Sequence, residues 1–201
     1  YSKTKELRPH FSEFGFFSHR LHIEISYLYN LLNMLMDKGY IVKHDISCIK
    51  DIVTEFSMEE CLKIKHFEKN INHDVKAIEY YIRSKMDELK LSQYNSFIHF
   101  GLTSQDINNT ALPLMIKGAM ENTYTPSIVT VMEILNKKIA EWKNVVIISK
   151  THGQPATPTT FGKELRVFTY RLQKQLDMLE NISLYGKMGG ATGNLDARTS
   201  L

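Results

Sequence analysis

The chain has 201 residues, 43% of them hydrophobic and 23% charged, the make-up of a globular chain able to bury a sizeable core. Its formal charge of +3 forms no basic stripe, because Lys137, Lys138 and Lys143 are interspersed with acids, so no nucleic-acid partner is expected. The longest aliphatic run, Val145-Val146-Ile147-Ile148, is far below the ~20 residues of a membrane span, and Cys48 and Cys61 make no disulfide framework, which suits a reducing, cytoplasmic compartment. No basic start followed by an apolar stretch marks a signal peptide. Tyr1 at the start and Arg198-Thr199-Ser200-Leu201 at the close give both ends the look of cuts.

Helical periodicity dominates in chain order. Phe14, Phe17, Leu21, Ile25, Leu28, Leu32 and Leu35 fall at steps of three and four and predict a long amphipathic helix. Shorter helices are predicted over about 46–57 and 58–68, with Cys48 and Cys61 as core positions. Val75, Ile78, Ile82, Met86 and Leu89 predict another helix, with Asn72 placed to cap it. A helix over about 104–121 holds Pro113, an expected kink. Ile128, Met132, Leu135, Ile139 and Trp142 follow, with Pro126 near the helix start. Val145 to Ser149 is β-branched in character, and Thr151 to Thr160, with Gly153, Pro155 and Pro158, is expected to be a loop. Phe161, Leu165, Phe168, Leu172, Leu176 and Leu179 make a fourth long stripe, and Gly186, Gly189, Gly190 and Gly193 mark a second break. The fold class is therefore all-α: an N-terminal helical domain over 1–102, then longer helices over 103–201 of the kind that build bundles.

Three polar segments interrupt the pattern. In His99-Phe100-Gly101-Leu102-Thr103-Ser104-Gln105-Asp106-Ile107-Asn108-Asn109, Thr103 or Ser104 can cap a helix, and Asp106 stands three residues after Thr103, near capping-box spacing. The string reads either as a well-made helix start or as an anion site, where free N–H groups, the helix dipole and two hydroxyls would receive a carboxylate or phosphate. In the second segment, Lys150 to Glu164, His152 is held in Gly/Pro-rigid backbone beside Gly153, which lets a substrate approach closely. That imidazole is either a loop side chain or a general acid or base. The third, Asn70 to Val75, places His73 at a helix start. His10, His19, His22, His44 and His66 lack such context and read as structural or solvent-facing. No Cys-x-x-Cys or His-x-x-x-His pair gives metal-ligand spacing. Neither a phosphate-binding Gly-rich loop, a dinucleotide fingerprint nor a Gly-x-Ser-x-Gly turn is present.

Thr-Ser-x-Asp-Ile-Asn at 103–108, followed by Thr-His-Gly-Gln-Pro-Ala-Thr-Pro at 151–158, resembles the fumarase/aspartase superfamily. Asn-His-Asp-Val-Lys-Ala at 72–77, Phe-Ile-His-Phe at 97–100 and Gly-Lys-Glu at 162–164 narrow the resemblance to the bacterial-type branch of its adenylosuccinate lyase family, from Tyr1 to Arg198. The resemblance implies a homotetramer whose second domains pack into a central helical bundle, with active sites shared between subunits. It implies elimination of fumarate from adenylosuccinate to give AMP, and from the analogous succinyl-carboxamide ribotide of purine synthesis, with no metal or organic cofactor. In that reading His152 is the general acid, and Asn72, His73, Asp74, Thr103 and Ser104 bind substrate. Tyr1 matches the tyrosine of an Arg-Tyr pair whose arginine would precede it. The family's catalytic base, a serine on a Gly- and Ser-rich loop continued by Met-Pro-x-Lys-x-Asn, matches no segment here, and Ser200 lacks that context. These residues then correspond to the first domain and the opening of the second, and alone are expected to turn substrate over hardly at all. Two other readings stand beside this one. A sister argininosuccinate lyase is opposed by the segments at 72–75 and 97–100, and a non-catalytic helical interaction module would use the polar segments only as loops and caps.

Overall fold

The apolar stripes become the buried faces of helices. The computed structural model describes residues 2–195, which fall into two compact units, 2–117 with 185–195, and 118–184. The first unit holds α1 (Arg8–Phe11), α2 (Glu13–Asp37), α3 (Asp51–Thr54), α4 (Met58–Ile71), α5 (Asp74–Glu88) and nearly all of α6 (Ser104–Ala119). α2 begins where the Gly15 N–H donates to the Ser12 hydroxyl. Phe17, Leu21, Ile25, Leu28, Leu32 and Leu35 are each at most 2% exposed. Most of them share one core with Ile49, Ile52, Ile64, Ile78, Ile82 and Met86. Each such side chain contributes about 1.5–3 kcal/mol through burial, so packing rather than propensity holds α2. The stretch expected as a helix over 46–57 is a 3-10 turn, Ser47–Lys50, running into α3. Cys61 is buried and Cys48 packs against the core, as their pattern implied.

Asn72 does not cap α5. It closes α4 in the left-handed region at φ 54°, and His73, extended at φ −146°, is the cap. An N-cap side chain reaches the following turn only from extended backbone, while the left-handed residue that ends a helix is commonly glycine or asparagine.

In the second unit a π turn, Met120–Tyr124, carries the chain into α7 (Thr125–Glu141), followed by β1 (Val146–Thr151), β2 (Gln154–Thr160) and α8 (Phe161–Glu180). Pro113 lies inside α6, and Pro126 opens α7 as expected. Pro126 has no N–H for the preceding turn, and the wider π turn sits immediately upstream.

The stretch 151–160 is not a loop. β1 and β2 pair antiparallel, with Thr151 opposite Gln154 and Val146 opposite Thr160. His152 and Gly153, at φ 50° and 75°, supply the two left-handed residues that a tight hairpin turn needs. Pro155 and Pro158 are tolerated because both strands of a two-stranded ribbon are edges, and the register shifts between Ile148 and Lys150. α7 and α8 then meet so closely that a Cβ on Gly162 would lie 2.7 Å from the Ile139 carbonyl oxygen, while Trp142 stacks on Phe161 at 4.9 Å. Among the described residues, no helix is long and apolar enough to cross a membrane.

One carboxylate of the first unit makes the fold sensitive to acid. Glu60 accepts from the Tyr81 hydroxyl at 2.7 Å and pairs with Lys63 at 2.7 Å and Lys85 at 3.1 Å. Burial opposes its charge, but these donors outweigh burial and pull the carboxyl from 4.5 down to about 2. Its contribution to stability is therefore present above pH 4.5 and lost as pH falls through about 2. The thermal midpoint of Glu60→Gln falls less steeply than that of the parent between those pH values, as thermal melts across the range will show.

Candidate active site

A second stripe of α2 carries the polar segments. Phe16, Arg20, Ile23 and Tyr27 recur at steps of three and four, with Glu24 beside them. Arg20 and Glu24 are buried, at 4% and 1% exposure. Arg20 directs Nη2 to Asp74 Oδ2 at 2.7 Å and Nε to Asn108 Oδ1 at 2.8 Å, and its guanidinium lies 3.5 Å from the centre of the Phe16 ring. Glu24 Oε1 meets His99 Nδ1 at 2.5 Å, and the Tyr27 hydroxyl donates to the Phe100 carbonyl at 2.9 Å. Ile23 packs with Val75, Ile107 and Ala111 in a small apolar cluster. One helix thus braces both 72–75 and 97–108.

Asn72 and His73 are exposed and Asp74 is half-buried. His73 Nδ1 accepts the Lys76 N–H at 3.1 Å, so the neutral ring carries its proton on Nε2 and offers it as a donor. Burial opposes the charge of Asp74, but Arg20 and the Val75 N–H outweigh it and hold the carboxyl below its ordinary value.

Thr103 and Ser104 stand half-buried at the start of α6. Asp106 Oδ2 accepts the Thr103 N–H at 2.9 Å, the returning half of a capping box. Asp106 is itself wholly buried. Its Oδ1 receives Lys187 Nζ at 2.9 Å, and the Gly190 N–H lies 3.2 and 3.1 Å from its two oxygens. Lys187 Nζ also donates to the Gly190 carbonyl, and the Thr110 hydroxyl donates to the Lys187 carbonyl at 3.4 Å. Burial again opposes the charge, and Lys187 with the two N–H groups keeps the carboxyl below its usual range. At His99, burial is likewise outweighed, here by Glu24, so the imidazole titrates above its ordinary value.

His152 sits exposed in the hairpin turn of the second unit. Tyr1 and Ser200 lie outside the described residues. Arg20, Glu24 and Lys187 escaped the sequence reading, and Asn108 entered it only as a position of the motif at 103–108. Arg20 and Glu24, four apart in the most apolar helix, have the spacing of an ordinary surface ion pair, and Lys187 is one lysine within a glycine-rich break. The donor set at 103–104 and His73, with the nearby aspartates already neutralised by Arg20 and Lys187, suits an anionic ligand.

Residues 2–200 match a family model described as lyase. The chain is 43% identical over 199 residues to an adenylosuccinate lyase of Buchnera aphidicola subsp. Schizaphis graminum, covering 98% of this chain and 44% of that protein. It is 43% identical over 204 residues to an adenylosuccinate lyase of Dictyostelium discoideum, again covering 98% and 44%. A fumarate lyase from Mesorhizobium sp. BNC1 shares the fold, with a TM-score of 0.76 at 22% identity over 96% of this chain and 44% of that one. The chain therefore spans about 44% of the length of the curated relatives it matches.

Asp106 is the member of this arrangement whose loss is most easily measured. Asp106→Ala strips the acceptor from Lys187 and from the N–H groups of Thr103 and Gly190. Urea unfolding will read this as a loss of about 1–3 kcal/mol, and Asp106→Asn, which keeps one acceptor oxygen, falls between the variant and the parent.

Proposed function

The chain belongs to the lyase family, and from that premise we propose that it is the substrate-binding part of an adenylosuccinate lyase, which eliminates fumarate from adenylosuccinate to leave AMP. The observation that carries this reading is 43% identity to curated adenylosuccinate lyases across 98% of the chain. The same chemistry extends to the succinyl-carboxamide ribotide of purine synthesis, whose departing group is also a nitrogen on a succinyl carbon.

The residue types fit that chemistry. A base removes a proton from the carbon next to a carboxylate, the electron pair is delocalised into that carboxylate, and the C–N bond then breaks to give fumarate. Thr103, Ser104 and the N–H groups opening α6 stabilise the charge as it grows on the carboxylate. His73 donates from Nε2, and Asn72 and Asp74 complete the binding segment with Tyr1. The nitrogen leaves poorly as an anion, so His152 protonates it as general acid, a contribution of ~10²–10⁴-fold. None of residues 1–201 is assigned as the base, and the reading uses no metal or organic cofactor.

The same reading includes a cytoplasmic homotetramer with active sites shared between subunits, and a domain division at residue 103. Exposed apolar side chains of α7 and α8 support the assembly: Ile134, Phe168 and Met178 are 59%, 55% and 64% exposed. A helical bundle formed with other subunits would cover them. The partners are small molecules, with no nucleic acid and no membrane among them.

His152→Ala in the full-length protein tests the proposal through the rate of fumarate release from adenylosuccinate. A fall in kcat of about 10²-fold or more is expected, and a fall of less than about tenfold overturns the general-acid role.

A further inference from the structure

Arg20 is buried where an apolar residue would cost less. Removing a guanidinium from water is costly, and a buried ion pair does no better for stability than well-packed hydrophobic side chains. What Arg20 supplies is geometry. Its Nη2 and Nε are two donors of one rigid plane given to two different partners, and that plane lies against the Phe16 ring. Nη2 holds Asp74, the residue after His73. Nε holds Asn108, which is one helical turn beyond Ser104 and so on the same face of α6. The fork therefore spans two chain segments that meet nowhere in sequence, with Asn108 88 residues from the arginine.

We propose that Arg20 is a positioning residue that sets the spacing between the His73 donor and the Thr103–Ser104 donors, and thereby the fit of the substrate. Asn108 is its counterpart on α6. The proposal rests on the lyase reading for its ligand, but the clasp itself does not. A lysine at position 20 keeps the charge yet is a single point donor, and it cannot hold Asp74 and Asn108 in one plane.

The test uses the full-length protein and variants Arg20→Lys, Asn108→Leu, Asn108→Asp and the double Arg20→Lys/Asn108→Leu, assayed with adenylosuccinate below their thermal midpoints. Arg20→Lys and Asn108→Leu are expected to lose about tenfold or more in kcat/KM. Asn108→Asp keeps the acceptor and stays within about threefold of the parent, and the double variant is no worse than the poorer single one. A merely structural arginine would lower the thermal midpoint and leave kcat/KM of the folded enzyme unchanged. That result, or losses that multiply in the double variant, overturns the proposal. If Arg20→Lys does not fold, the contrast between Asn108→Leu and Asn108→Asp decides alone. If the parent does not cleave adenylosuccinate, the lyase reading fails and hydrogen exchange decides the clasp. Asn108→Leu then speeds exchange at the Val75 and Lys76 amides, on a helix it does not belong to, and unchanged rates there overturn the clasp.

Discussion

A carboxylate can be withdrawn from water only where donors replace the water, and Asp106 meets that condition by drawing on distant parts of the chain. Thr103 supplies an N–H from the turn before α6, Gly190 another from the glycine-rich stretch, and Lys187 an ammonium. These bonds orient the start of α6, which carries Thr103 and Ser104. They also settle a conflict of charge. An acidic side chain at a helix N-terminus favours the helix, yet pointed outward it would repel an anion bound there. Turned inward onto Lys187, it keeps the first effect and loses the second.

α2 shows how one helix serves two purposes. Its apolar stripe, Phe17 to Leu35, is ordinary core. The neighbouring stripe carries two charged residues that are buried nearly as deeply, and each holds a segment with candidate binding residues: Arg20 holds Asp74 and Asn108, Glu24 holds His99. A helix locked by its first face is a rigid support for its second, which is what precise placement of polar groups demands. The second unit achieves rigidity by other means, through close approach at Gly162 and the stacked Trp142 and Phe161.

Much of this was legible in the residues. Periodicities of three and four marked the long helices because burial imposes them directly, and the Thr103–Asp106 spacing marked a capping arrangement because that bond is local. Two of the misreadings share a cause, a residue type that serves two geometries. Asparagine is favoured both as an N-cap and as the left-handed residue that ends a helix, and Asn72 does the second. Proline argues against strands except at edges, and β1 and β2 have only edges. The pairings of Arg20 with Asn108 and of Lys187 with Asp106 could not be read, because they span 88 and 81 residues and a pairing at that range leaves no local pattern. The anion-suited donors were visible piece by piece; the arginine fork between them was not.

The chain leaves the first unit at residue 117 and returns to it at 185. During synthesis, at roughly 5–20 residues per second, the 81 residues separating Asp106 from Lys187 take about 4–16 s to emerge. Through that interval the Asp106 carboxylate has neither its ammonium nor its glycine N–H and stays hydrated. The hairpin and the α7–α8 pair, whose contacts are local, meanwhile have all their own residues available. The inserted unit can thus fold before its host can close, and the last stretch described, 185–195, works as a late-arriving latch on the ribosome's timetable.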